Sequence, residues 1–293
     1  MEFTRTPHGD DEQPTAPPGR TAPWRRYVAL GDSFTEGLWD VPGGAPPTTT
    51  TAVDPTLVCR GWADLLAAHL AERAGIGQGD APVQYANLAV RGRLLEPILR
   101  EQVPAALELR PDLVSVVGGG NDMLRPAADP DVLAERLEAA VARLRAAGVD
   151  VLLATGMDAK DSPVVRRTRW RAGVYNAHIW SIARKHGAYV ADVWGMRSLR
   201  DWRMWAPDRI HLTTEGHRRV AQAALVGLGL EPDDAAWDDP LTPLPPVPLA
   251  ARVQQDAEWF REHAYPWATR RLRRRSSGDA RRPKRPELTP VER

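Results

Sequence analysis

A serine hydroxyl becomes a nucleophile when a base removes its proton, and the base works best when a carboxylate fixes its tautomer and steadies the imidazolium. The chain offers such a set. Ser33 stands in Gly31-Asp32-Ser33-Phe34-Thr35-Glu36-Gly37, directly after the apolar run Tyr27-Val28-Ala29-Leu30. Asp208 and His211 lie three residues apart ahead of a helical stretch, so one loop can present both to Ser33. Attack on an acyl carbon also needs donors aimed at the developing oxyanion, each worth about 3 kcal/mol. The Asn121 side chain and the backbone N–H groups of Ser33 and Gly92 are candidates, each at the end of a different apolar run. Thr35 stands where the common Gly-x-Ser-x-Gly elbow has its second glycine. A capping serine in an ordinary strand-to-helix turn is the alternative reading of those seven residues.

These side chains meet only if the intervening elements bring them together. Apolar runs over 26–31, 83–90, 111–117, 149–154 and 189–193 read as strands, and amphipathic stretches over about 61–73, 131–147 and 163–186 read as helices. Further helices are expected from the nineties to about 109 and from the Asp208–His217 region to about 229. Alternation at this spacing predicts a parallel, doubly wound sheet of about five strands covered by helices on both faces. Ligands of such sheets sit at the carboxyl ends of the strands, where Ser33, Gly92 and Asn121 fall.

Taken together, Gly31-Asp32-Ser33, Gly92, Gly119-Gly120-Asn121-Asp122 and Asp208-x-x-His211 resemble the four blocks of the SGNH hydrolases, also called the GDSL esterase/lipase family, over about 25–230. The resemblance implies a flavodoxin-like three-layer α/β/α fold, with Ser33 as nucleophile, His211 as general base and Asp208 as its orienting partner. It also implies an oxyanion hole built from Ser33, Gly92 and Asn121, and hydrolysis of small acyl esters, such as acetylated sugars or metabolites, by an acyl-enzyme route. An acyltransferase would use the same residues; a binding protein that kept the fold and lost activity would not need them intact. Phe34 departs from the leucine of the family name, at a position that packs and does not react.

The neighbours of these blocks have simpler readings. Asp32 shapes the turn, Asp122 caps a helix, and Thr213 or Thr214 is the N-cap of the helix after His211. Trp202 and Trp205 are candidates for walling a substrate pocket, with packing under the catalytic loop as the other reading. No phosphate loop or dinucleotide fingerprint is present, so no cofactor is expected. His69, His178, His186 and His217 lie on helical stretches without metal-ligand spacing, so no metal is expected either.

Composition sets the surroundings. The 293 residues are 43% hydrophobic, enough for a substantial core. Asp10, Asp11 and Glu12 stand where a secretion signal needs an apolar stretch, and no apolar run is long enough to span a bilayer. The single Cys59 excludes an internal disulfide, so a reducing, cytoplasmic setting is expected. Residues 1–24 are expected to be disordered, 231–250, with six prolines, to be an extended linker, and 251–293 to be an amphipathic helix followed by a disordered basic tail. Residues 270–285 hold nine basic side chains against the single acid Asp279, while the whole chain carries only +1. That run suggests a weak contact with an anionic surface; no specific nucleic acid is expected, and nothing in the sequence fixes an oligomeric state.

Overall fold

The computed structural model describes residues 24–41, 58–74, 81–158, 165–266, 269, 278–279 and 281–292. The expected disorder of 1–23, the long connection over 42–57 and the arginines at 270–275 lie outside these residues.

The sheet runs β1 (Arg26–Gly31), β2 (Gln84–Asn87), β3 (Leu113–Val117), β4 (Asp150–Ala154) and β5 (Tyr189–Ala191), with β6 (Arg285–Pro290) added. Its spatial order is β5-β4-β3-β1-β2-β6. The first five strands are parallel, in the flavodoxin-like order, and are buried on both faces, which is why they read as continuous apolar runs. The order reverses between β1 and β3, so the crevice of the sheet opens between the ends of the strands that deliver Ser33 and Asn121.

Helices α1 (Ser33–Glu36) and α2 (Trp62–Ala74) follow β1, and α3 (Leu95–Pro97) continues through a wide turn, Ile98–Gln102, into α4 (Val103–Glu108). The set continues with α5 (Gly120–Met123), α6 (Pro130–Ala146), α7 (Arg169–His186), α8 (Thr214–Gly227) and α9 (Leu249–Trp259). One face of the sheet packs on the α3–α4 region, α6 and α7 through Val28, Val116, Leu137 and Ile179. The other packs on α2 and α8 through Tyr27, Trp62, Leu66 and Leu225. No described helix is long and apolar enough to cross a membrane.

The structure corrects the expected termini. Trp24 is buried and its indole donates to Asp150 Oδ2 at 2.9 Å, so the folded part begins before residue 25. Residues after 230 are fastened to the core as well, because Arg219 donates to the Trp237 and Asp239 carbonyls and Asp238 accepts from Ser198. The disordered reading fails for 281–292, since β6 pairs antiparallel with β2 and makes a sixth strand. An open β2 edge would expose unpaired backbone groups, and β6 covers them, with Pro286 and Pro290 tolerated on an outermost strand. Lys284 and Arg285 do not project into solvent as a charged run should: Lys284 binds Asp64 at 2.6 Å, and Arg285 stacks over Tyr85 at 5.3 Å.

Gly37 ends α1 in the left-handed region, at φ 88°, facing the carbonyl of Arg60. A Cβ there would lie 1.9 Å from that oxygen. Gly37→Ala combines an unfavourable φ with a backbone clash, and chemical denaturation should show a loss of at least about 3 kcal/mol.

Candidate active site

Strand β1 ends at Gly31, whose N–H and carbonyl are both taken by the Gln102 side-chain amide, at 2.8 and 3.0 Å. The chain then turns on Asp32, which caps α1 by accepting the Phe34 N–H at 3.0 Å. Ser33 is the first residue of that short helix, so its own N–H has no partner within the helix.

His211 arrives from the other side of the crevice. Its Nε2 lies 2.9 Å from Ser33 Oγ and its Nδ1 lies 2.6 Å from Asp208 Oδ2. The second oxygen of Asp208 accepts the backbone N–H groups of Ile210 and His211, both at 3.0 Å. Burial alone would raise the Asp208 pKa, but the facing His211 and these hydrogen bonds outweigh it and hold the carboxyl down at about 2. The carboxylate is therefore ionised throughout the neutral range. It accepts a hydrogen bond from Nδ1–H, which leaves Nε2 as the acceptor facing the serine hydroxyl. The loop itself is closed by the bridge between Trp205 and Leu212 and by Ala206 N–H donating to the His211 carbonyl at 2.8 Å. Thr213 is the N-cap of α8, accepting from Gly216 N–H.

Gly92 sits in a tight turn at φ 75°, after β2, and Asn121 lies in α5, after β3. The Asn121 amide donates to Asp32 Oδ2 at 3.1 Å and to the Arg93 carbonyl at 3.0 Å. That amide is thus held between the serine turn and the Gly92 turn, and donation to an oxyanion requires it to share one of these bonds. Burial pushes the Asp32 carboxyl up to about 6, against the hydrogen bond from Phe34. Asp122 lies within α5, whose N-cap is Gly119, and its carboxylate accepts the Leu95 N–H at the start of α3 at 2.9 Å.

The two tryptophans divide. Trp205 packs against the core and donates its indole N–H to Leu199 at 2.8 Å, whereas Trp202 stays 42% exposed beside it, ring centroids 6.2 Å apart. His217 is buried, accepting from Trp62 N–H at 3.3 Å, and burial lowers its pKa to about 4. Among the described residues, His69, Glu72 and Asp233 could together hold a metal. The Arg73 guanidinium lies 2.5 Å from Asp233, a cation where a second cation would have to bind.

Sequence reasoning missed a buried ion pair beneath this site. Glu36, one turn after Ser33, accepts the Arg91 backbone N–H at 2.6 Å and Nε at 2.8 Å, and its Oε1 also meets Arg91 Nη2. Arg91 is fully buried and precedes Gly92, so this pair ties the serine helix to the glycine turn. An acid in the serine turn and an arginine in the next strand-end turn were the available signal.

With this geometry in view, the sequence pattern of the GDSL-like lipase/acylhydrolase family matches residues 29–219. The chain belongs to that family. No curated protein matches it. Among solved structures similar to this GDSL-family chain is LAE5, an alpha/beta hydrolase enzyme from the metagenome of Lake Arreo, Spain. It is 25% identical with a TM-score of 0.55, and the match covers 71% of this chain and 96% of that one. Axe2, an acetylxylan esterase from Geobacillus stearothermophilus, is 18% identical with a TM-score of 0.55, covering 71% and 95%. TesA is 23% identical with a TM-score of 0.50, covering 69% and 99%. All three share the fold, and the GDSL family is one of lipases and acylhydrolases.

Glu36→Gln takes away a counter-charge of the buried Arg91 guanidinium and should cost about 3–5 kcal/mol of unfolding free energy. Adding Arg91→Met should return part of that loss, and a double-mutant cycle by urea denaturation measures the coupling.

Proposed function

We propose that this protein is a serine ester hydrolase in which Ser33 is the nucleophile, His211 the general base and Asp208 the group that orients it. The reading is carried by the unbroken chain of hydrogen bonds from Asp208 Oδ2 through both nitrogens of His211 to Ser33 Oγ. In the first half-reaction His211 Nε2 takes the hydroxyl proton as Ser33 Oγ attacks the ester carbon, and the ionised Asp208 steadies the imidazolium. The oxyanion is received by the N–H groups of Ser33 and Gly92 and by the Asn121 amide, exchanging its bond to Asp32. Collapse expels the alcohol with the proton from Nε2 and leaves an acyl group on Ser33; water, activated by the same nitrogen, releases it. The substrate class proposed is small acyl esters, with the half-exposed Trp202 as a contact for the acyl or alcohol part.

Ser33→Ala should abolish hydrolysis of a short chromogenic ester without changing the circular dichroism spectrum; more than a few per cent of wild-type kcat would sink the mechanism. The acid limb of the pH profile follows from the two charges. Asp208, held down at about 2, stays ionised in mildly acidic solution, whereas Asp32, raised to about 6 beside the Asn121 amide, takes up a proton there. kcat/KM should fall in acid, because the base must be unprotonated to take the serine proton, and the fall carries the Asp32 ionisation near 6 within it. A profile that stays level to about pH 4.5 contradicts His211 as base.

A further inference from the structure

The family match ends at residue 219, yet the chain beyond it returns twice to the elements that carry the hydrogen-bond chain. The first return is α9. Trp259 donates its indole N–H to the carbonyl of Asp208 at 3.1 Å. Arg209, the next residue, is in the left-handed region at φ 58°, and its guanidinium is held by Asp256 at 2.6 Å and over the Trp259 ring at 5.0 Å. A non-glycine residue at such a φ persists only where its surroundings hold it there, and α9 grips it from two sides. Burial does not explain the position of this helix, because none of its residues is buried and Leu249 and Val253 stay exposed.

The second return runs from Gly278 to β6. Lys284 has a side chain only 8% exposed, and its ammonium donates to the carbonyls of Glu36 and Cys59, both at 2.7 Å, and to Asp64 at 2.6 Å. Glu36 is the last residue of the helix that begins with Ser33. Gly278 packs so closely on the Arg91 carbonyl that a Cβ would lie 2.0 Å from it, and Arg281 reaches the Glu36 carboxylate at 3.9 Å.

Two segments beyond the family match therefore hold the main-chain carbonyl of Asp208 in the base loop and the main-chain carbonyl of Glu36 at the end of the nucleophile helix. We propose that α9 and the segment of Lys284 and β6 act as a two-point clamp that sets the distance between His211 and Ser33, with Trp259 and Lys284 as positioning residues. The proposal rests on the serine mechanism above. A misplacement of about 1 Å in such a pair can cost about 10²-fold in rate, so contacts that touch no substrate can still govern turnover.

The test uses the full chain with Trp259→Phe, which keeps the ring and deletes the donor, Asp256→Asn, and Lys284→Met. For each variant the rate of covalent labelling by a serine-directed fluorophosphonate is measured beside the thermal midpoint, beside kcat and KM on a short ester, and beside the downfield proton resonance of His211 Nδ1–H. The expected result is labelling and kcat slowed about 5-fold or more, KM within about 2-fold, and a shifted or broadened Nδ1 proton. Variants that melt earlier but label and turn over at wild-type rates, with that proton unmoved, would show a stabilising cover and overturn the clamp. Should Lys284→Met fail to accumulate, the two α9 variants decide the matter alone. A wild-type protein that the probe labels no faster than Ser33→Ala refutes the serine mechanism itself, which separates that failure from a failure of the clamp.

Discussion

One imidazole joins two segments 178 residues apart in the chain, and the architecture around it serves to keep that contact at 2.9 Å. A hydrogen bond contributes only about 1 kcal/mol net, far too little to bring two loops together by itself. The positioning comes from elements whose stability has other sources. The parallel sheet fixes the ends of β1 and β3, and the buried faces of α2 and α8 set where the His211 loop emerges. The carboxylate of Asp208 then needs only to choose the tautomer, which its two backbone donors and the imidazole already secure.

The polar interior follows from the same need. Three turns that must lie close together bring their backbone groups out of water, and each buried donor or acceptor requires a partner. Asn87 donates to the Thr35 carbonyl, Gln102 pairs with Gly31, and Asn121 bridges Asp32 and Arg93. Glu36 and Arg91 extend this into a charged link, costly to desolvate yet matched group for group. The turns are thereby locked to one another and not merely to the strands that carry them.

The parts of the fold legible in the sequence were those written in local pattern. Five apolar runs ending in glycine-bounded polar turns announced a parallel sheet, and Ser33, Asn121, Asp208 and His211 stood at the positions such a sheet brings together. What escaped reading depends on contacts with no local signature. Lys284 looked like one charge in a basic run because composition cannot reveal three acceptors, the farthest 248 residues away. Residues Arg285–Pro290, with two prolines and no apolar alternation, carry none of the usual marks of a strand; they pair because β2 offers an edge. Trp259 lies in the stretch expected to be an amphipathic helix, and nothing local tells that its indole N–H meets the Asp208 carbonyl and its ring the Arg209 guanidinium.

The antiparallel pairing of β6 with β2 also has a consequence for biosynthesis. Asn87 and Arg285 are paired across roughly 200 residues, so at 5–20 residues per second the ribosome takes about 10–40 s to supply the partner of an edge it has already made. By the end of that interval the nascent sheet carries five strands and an open β2 border, the kind of surface that recruits other strands. Translation thus imposes its own timetable on this molecule, in which the sheet emerges early and its border is sealed only when residues 284–290 arrive.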